Sequence, residues 1–219
     1  MKKYVVTTAR QLQDMHGQKI IQFEEAYVEY LAQFDLQLVI LPVLPDIQIL
    51  YTLNPQLILL LGGGDVPEEY YDSDVEILIQ KRRDSIEKQL INYAMEHNIP
   101  LLGICRGMQM INGFLGGKVT RAVEQGSLIA VNHDIYVPGS GIVLEVNSFH
   151  RDVIKKEGLS TQLTPIAFHV NCQHVEAFVG TVYPFLGLQW HPERTDKDSS
   201  CRKYSNQLIR ELIARGGVS

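Results

Sequence analysis

Pro100-Leu101-Leu102-Gly103-Ile104-Cys105-Arg106-Gly107-Met108-Gln109 is the stretch on which the fold turns. A short apolar run ends in Gly-x-Cys-x-Gly, and Met108, Ile111 and Leu115 then recur at helical spacing. The pattern predicts strand, tight turn and helix, with a thiol at the turn. Gly103 and Gly107 remove side chains where backbones must come close. Cys105 is expected at the mouth of the helix, where unpaired N–H groups and the helix dipole favour a thiolate. The nucleophile elbow of serine hydrolases has the same layout. Taken alone, the stretch fits a small buried core cysteine equally well.

Working outward from it, strand and helix alternate. Tyr4–Thr8 reads as a first strand, followed by a polar loop through Gly17. Phe23, Ala26, Tyr27, Tyr30, Leu31 and Phe34 predict a helix over 20–33. Residues 36–41 form a second buried strand, stopped by Pro42 and Pro45. Residues 57–61 form a third, which runs into Gly62-Gly63-Gly64-Asp65. A long helix is expected over 76–97, with Ile86, Leu90, Tyr93, Ala94 and His97 on its inner face. Strand 101–104 and its helix follow, with a stop at Gly116-Gly117. Beyond Gly117 the texture changes to short strands at 127–132, 134–137, 142–146, 165–170 and 174–179. Pro138-Gly139-Ser140-Gly141 is a hairpin turn among them. A core strand returns at 185–189 and ends in Trp190-His191-Pro192-Glu193; Tyr204, Leu208, Ile209, Leu212 and Ile213 mark a last helix. The expected class is α/β: an open, mostly parallel sheet flanked by helices on both faces, with a small added antiparallel β region. One domain is expected over 1–219.

The 219 residues are 45% hydrophobic and 21% charged, which is ordinary globular composition. A net charge of -5 argues against nucleic acid or an anionic membrane as the main partner. No apolar run approaches a membrane span or a signal peptide. Cys105, Cys172 and Cys201 make neither a disulfide framework nor a zinc-like spacing. The expectation is a cytoplasmic protein with a free thiol and no metal.

A cysteine nucleophile needs a base, and the base needs an orienting group. His16, His97, His133, His169 and His174 read as structural histidines in loops, strands or helix ends. His191 differs. It lies just past the C-terminal end of an apolar strand, the edge at which ligands collect in open α/β sheets. Cys105 lies at the same edge of its own strand. Glu193, two residues beyond His191, falls on the same side and can hold the imidazole in one tautomer. Gly62-Gly63-Gly64 ends a third core strand and can offer N–H groups to an anion. It lacks the Lys-Ser/Thr of a phosphate-binding P-loop. With the N–H of Arg106 it would form an oxyanion hole, where each donor is worth about 2.7–4 kcal/mol in the transition state.

The ordered set Gly-Ile-Cys-Arg-Gly-Met-Gln from Gly103, Asn-Gly-Phe-Leu-Gly-Gly from Asn112, Val-Asn-Ser-Phe-His from Val146 and Gln-Trp-His-Pro-Glu from Gln189 resembles the class I glutamine amidotransferases. Within them it is most similar to free-standing γ-glutamyl hydrolases of the peptidase C26 type. The resemblance implies a flavodoxin-like core and the triad Cys105, His191 and Glu193. It implies oxyanion donors from Gly63 and Arg106. It places Gly64, Gln109, Ser148, Phe149 and His150 around the glutamyl unit, and gives Arg83-Asp84 and Glu87 a structural ion-pair role. It implies no cofactor.

The reaction it implies is hydrolysis of a small γ-glutamyl conjugate, or of glutamine, through a glutamyl thioester. The alternatives are a glutaminase that delivers ammonia to a partner synthetase and a hydrolase of a γ-glutamylated, even nucleotide-linked, intermediate; against a non-catalytic binding module that keeps the fold stands the intact set of Cys105, His191 and Glu193. A homodimer is also compatible with the sequence. The chain departs from the family pattern at Arg151-Asp152, at Cys172-Gln173, at an early Pro67 and in a short segment between Gly117 and Asn147. These departures leave the triad untouched and bear on the leaving-group side.

Overall fold

The computed structural model describes residues 3–41, 46–78, 80–122, 129–171 and 174–216. In chain order, β1 (Tyr4–Thr8) leads into a hairpin of β2 (Arg10–Gln13) and β3 (Lys19–Gln22). Then come α1 (Glu25–Ala32), β4 (Gln37–Leu41), α2 (Ile49–Leu53) and β5 (Leu57–Leu60). α3 (Lys81–His97), β6 (Leu101–Ile104) and α4 (Arg106–Phe114) carry the chain through the cysteine turn. β7 (Thr120–Arg121), β8 (Ile129–Val137), β9 (Ile142–Phe149), β10 (Asp152–Val153), β11 (Leu163–His169) and β12 (Val175–Gly180) follow. β13 (Phe185–Leu188) and α5 (Ser200–Arg215) come last.

Nine of these strands make one sheet, ordered β4-β1-β5-β6-β13-β12-β11-β8-β9. β4, β1, β5, β6 and β13 are parallel. In sequence order they stand 2-1-3-4-5, the flavodoxin-like arrangement. β12, β11, β8 and β9 extend the same sheet antiparallel. The apolar runs of β5, β6 and β13 are buried at every position because helices cover both faces. Along β5 the side chains alternate: Ile58 and Leu60 pack with Leu90, Met108 and Ile111 beneath α3 and α4. Leu57 and Leu59 pack with Tyr30, Trp190 and Leu212 beneath α1 and α5. Register pairs Leu60 with Gly103 and Ile104 with Leu188, so the glycine loop, Cys105 and His191 emerge at one edge.

The structure corrects several boundaries. The helix expected over 20–33 starts only at Glu25. Asp14 Oδ1 accepts the N–H groups of His16 and Gln18, closing a turn that pairs Ile20 and Ile21 with Leu12 and Gln11. The long helix begins at Lys81 rather than 76, because the Asp65 carboxylate takes the N–H of Leu78 and holds that segment as a loop. His97, expected inward, is exposed and lies against Tyr51 and Tyr93 at the helix end. The strands expected at 127–132 and 134–137 are one strand, β8, with an irregular register between Ile129 and Val131. Pro42, Pro45, Cys172, Gln173 and residues 127–128 lie outside the described residues.

Gly103 and Gly107 are required by close approach. A Cβ on Gly107 would lie 2.1 Å from the carbonyl oxygen of Leu60, and one on Gly103 would lie 2.5 Å from the backbone of Gly107. Backbone cannot move aside as a side-chain tip can. Gly107→Ala is expected to cost about 3 kcal/mol of stability. Gly116→Ala, at φ +88° with open space around it, is expected to cost about 1–2 kcal/mol. Urea unfolding of both variants checks the ranking.

Candidate active site

Cys105 joins β6 to α4 with φ 52° and ψ -107°, a conformation that a residue with a Cβ adopts only when its surroundings enforce it. Two neighbours do so. The Cys105 N–H donates to Leu188 O at 2.7 Å, and its carbonyl accepts from Gln109 N–H. The thiol therefore stands where the first turn of α4 leaves its N–H groups unpaired.

His191 follows β13 and is held from both sides. Its Nδ1 donates to Glu193 Oε1 at 2.5 Å. Its backbone N–H and carbonyl each bond the Asn147 amide at 2.8 Å. Burial pushes the imidazole pKa down, but Cys105 and Glu193 outweigh it and lift it to about 9. A Cβ on Gly62 would fall 2.6 Å from His191 Cε1, and 3.4 Å from both His191 Nε2 and Cys105 Cβ. The imidazole and the cysteine thus meet over Gly62, and only glycine leaves room for them. The structure brings Cys105, His191 and Glu193 together.

The glycine loop is shaped by Arg83. Its guanidinium donates to the carbonyls of Leu61 and Gly63 at 2.7 Å and of Gly62 at 3.3 Å. In a trans peptide the C=O and the next N–H point in opposite directions. The N–H groups of Gly63 and Gly64 are therefore turned away from Arg83. The Gly62 N–H is already given to Tyr27 Oη at 3.3 Å. Gly63 and Gly64 adopt φ +83° and +80°, open to glycine at little cost.

A cavity of about 110 Å³ lies in front of Cys105. Gly63, Gly64, Gln109, Phe149, His150 and Arg151 are among its walls. Gln109 Nε2 donates to Asp152 O and to Gln189 Oε1, which fixes the amide in the wall. Phe149 meets His191 edge-on and is covered by Arg194. Ser148 is fully buried and is not among the residues lining the cavity. His150 Nδ1 lies 3.0 Å from Asp152 O, and burial lowers its pKa.

The family model described as glutamine amidotransferase class-I matches residues 18–210. The chain belongs to the class I glutamine amidotransferase family. It is 30% identical to a glutamine amidotransferase-like protein of Lactococcus lactis over 91% of each chain. It is 31% identical to the γ-glutamyl-CDP-amidate hydrolase of Campylobacter jejuni, over 63% of this chain and 62% of that protein. The crystal structure of a glutamine amidotransferase from Thermotoga maritima shares the fold, with a TM-score of 0.62 at 19% identity over 98% of this chain and 87% of that one.

In this glutamine amidotransferase chain Arg83, Asp84 and Glu87 take the structural ion-pair role expected of them, but their partner Arg106 was read only for its backbone. The Arg106 side chain is buried, bonding Asp84 Oδ1 and Glu87 Oε2 at 2.5 Å and Asp65 O at 2.8 Å. Glu87 also takes Arg83 Nε at 2.7 Å and the Thr8 hydroxyl at 2.9 Å. Burial pushes Glu87 up, yet the two guanidinium groups hold it below the usual carboxylate range. Asn147 belonged to a quoted motif, but nothing in the sequence assigned it to His191. Arg10, packed on Gly63, pairs with Glu24, which also pairs with Arg194. Glu87→Gln leaves two buried guanidinium groups short of charge and is expected to cost about 3–5 kcal/mol, read from the urea midpoint.

Proposed function

We propose that the chain hydrolyses γ-glutamyl amides, with Cys105 as nucleophile. The observation that carries this reading is the meeting of Cys105 and His191 over Gly62, with Glu193 on the far imidazole nitrogen. Cys105 Sγ attacks the δ-carbonyl carbon, and the carbonyl π electrons move onto oxygen. The N–H groups of Gly63 and Arg106 receive that oxyanion. His191, protonated by the thiol, gives its proton to the leaving nitrogen as the C–N bond breaks. A water molecule then yields a proton to His191 and attacks the glutamyl thioester. Glutamate leaves, and the thiol takes its proton back. Gly64, Gln109, Phe149 and His150, which line the cavity, hold the glutamyl unit, and the buried Ser148 stands behind them. The small inner cavity suits a single amino-acid group better than a drug-sized ligand, which needs about 300 Å³ or more. No cofactor takes part in these steps.

Cys105→Ala is expected to lower kcat by about four orders of magnitude or more. Intact-mass spectrometry of the wild type should catch a glutamyl adduct that the variant lacks. Near-native turnover by Cys105→Ala would remove the reading. Glutamate release by the purified chain alone separates it from a glutaminase that works only with a partner enzyme.

The acid form of His191 is the proton donor to the leaving amine. Its pKa is raised, so that form persists below about 9 and is lost above it. The kcat/KM profile is expected to fall on the alkaline side near pH 9. Glu193→Gln, which removes one of the raising charges, is expected to move that limb to lower pH.

A further inference from the structure

A larger cavity adjoins the one in front of Cys105, and the reaction above leaves it unused. It measures about 560 Å³ and has Asp65 and Arg151 as walls in common with the inner cavity. Ile77 and Leu78 give it an apolar side, and Asp74, Glu76 and Arg121 bring the remaining charges. Among the described residues lining the inner cavity, Arg151 alone carries a fixed positive charge.

The backbone of Arg151 is fixed, and its side chain is loosely held. Its carbonyl accepts from the Ala122 N–H at 3.0 Å, and the next residue, Asp152, is paired into β10. The side chain is 56% exposed and reaches Asp65 Oδ1 at 3.1 Å. That oxygen also accepts from Arg121 Nη2 at 2.9 Å, and Oδ2 takes the Leu78 N–H at 2.8 Å. Asp65 therefore keeps a counter-charge and a hydrogen bond when Arg151 turns away. An ion pair this exposed is weak, so exchanging Asp65 for another carboxylate costs Arg151 little.

A γ-glutamyl amide places its amino-acid end in the inner cavity, and its chain continues only through the nitrogen that departs. What that nitrogen carries then passes Arg151 into the outer cavity. A guanidinium presents five N–H donors in a planar fork, which suits a carboxylate or a phosphate. The surroundings limit how much negative charge is welcome. In the outer cavity the carboxylates of Asp65, Asp74 and Glu76 face the guanidinium groups of Arg121 and Arg151, and Arg121 is committed to Asp65 and Asp152. One negative charge close to the nitrogen meets Arg151. A second, farther out, meets Asp74 and Glu76, both exposed on the outer wall.

We propose that Arg151 sets the choice of substrate by pairing with a single carboxylate carried close to the departing nitrogen, so that small amino acids are the leaving groups this site prefers. The inference rests on the γ-glutamyl reading of the inner cavity. Arg151 is also a point at which the chain departs from the family pattern, so the preference belongs to this chain.

The test compares kcat/KM for γ-glutamylglycine with that for γ-glutamylglycinamide, two amides that differ by one charge at one position. The wild type is expected to favour the carboxylate about fivefold, the upper end for a partly exposed ion pair. Arg151→Gln should bring the ratio to about one, Arg151→Lys should keep most of it, and Arg151→Glu should reverse it. A general loss of activity cancels in the ratio. A wild-type ratio of about one, or a ratio that Arg151→Gln leaves unchanged, overturns the proposal. So does an equal rise in KM for glutamine in Arg151→Gln, because it puts the guanidinium on the glutamyl α-carboxylate instead. γ-Glutamyl-aminomethylphosphonate carries a second negative charge at the same place and is expected to do no better than γ-glutamylglycine. A preference for it of about fivefold or more overturns the assignment to a single carboxylate. If the wild type cleaves neither these amides nor glutamine, the γ-glutamyl reading fails and takes this proposal with it. Cleavage without preference for the charged amide overturns this proposal alone.

Discussion

Arg106 and Arg83 lie side by side under the active-site edge, both fully buried, and share the carboxylate of Glu87. Two guanidinium groups beside one another repel, and desolvation makes each more costly still. Glu87, together with Asp84, offsets that cost, and the geometry it imposes reaches every part of the site. Through Arg106 it ties α3 to the first turn of α4, directly after Cys105. Through Arg83 it fixes three successive carbonyls of the loop after β5. The orientation of the Gly63 and Gly64 N–H groups and the position of the cysteine are therefore set by one carboxylate on a helix that contributes nothing to the cavity around Cys105. Buried ion pairs are weak contributors to net stability but fix geometry tightly. Fixed geometry is what a nucleophile and its neighbouring N–H donors require.

The second constraint is steric. Three strand ends converge at the sheet edge, and the space between them is smaller than an alanine. Gly62 gives way to the His191 ring, Gly107 to the Leu60 carbonyl and Gly103 to the start of α4. These contacts let β5, β6 and β13 deliver three different functional groups within touching distance. The strained backbone of Cys105 persists because hydrogen bonds at its N–H and carbonyl over-determine it.

Much of this was legible in the sequence, and for identifiable reasons. Continuous apolar runs such as 57–60 and 101–104 are buried on both faces, so they report a parallel core directly. The turn at Cys105 and the His191–Glu193 spacing are local features, and local features survive in sequence. What depended on distant partners was not readable. Ile20 and Ile21 look like the start of a helix, and Asp14 turns them into a hairpin. Leu78 belongs by spacing to the long helix, and Asp65, thirteen residues earlier, takes its N–H. The Arg106 side chain sits in a motif read for its backbone, while its partners are about twenty residues upstream. His133, His169 and His174 each read as an ordinary strand histidine, because only strand pairing across β8, β11 and β12 brings them to Glu176.

The departures from the family pattern gain meaning from their position. Asp152 accepts from Tyr71 Oη at 2.6 Å and forms an ion pair with the Arg121 guanidinium at 2.5 Å. Asp65 joins Arg121 and Arg151 at 2.9 and 3.1 Å. These groups form a second ionic lattice at the mouth of the site, joined to the one around Glu87 by the hydrogen bond from Arg106 Nε to the Asp65 carbonyl. Arg151 borders both the inner cavity and an outer one of about 560 Å³ that also meets Asp65, Asp74, Ile77, Leu78 and Arg121. The two lattices differ in exposure. Glu87 and its arginines are sealed, whereas the Arg151 side chain is 56% exposed and pairs with Asp65. A sealed lattice tolerates little change, because removing one member strands a buried charge. An exposed one costs little to alter, since water takes over the lost contact. Sequence change on this edge is therefore cheap at Arg151 and expensive at Glu87. The fold can keep its thiol, imidazole and loop geometry constant while the outer wall varies.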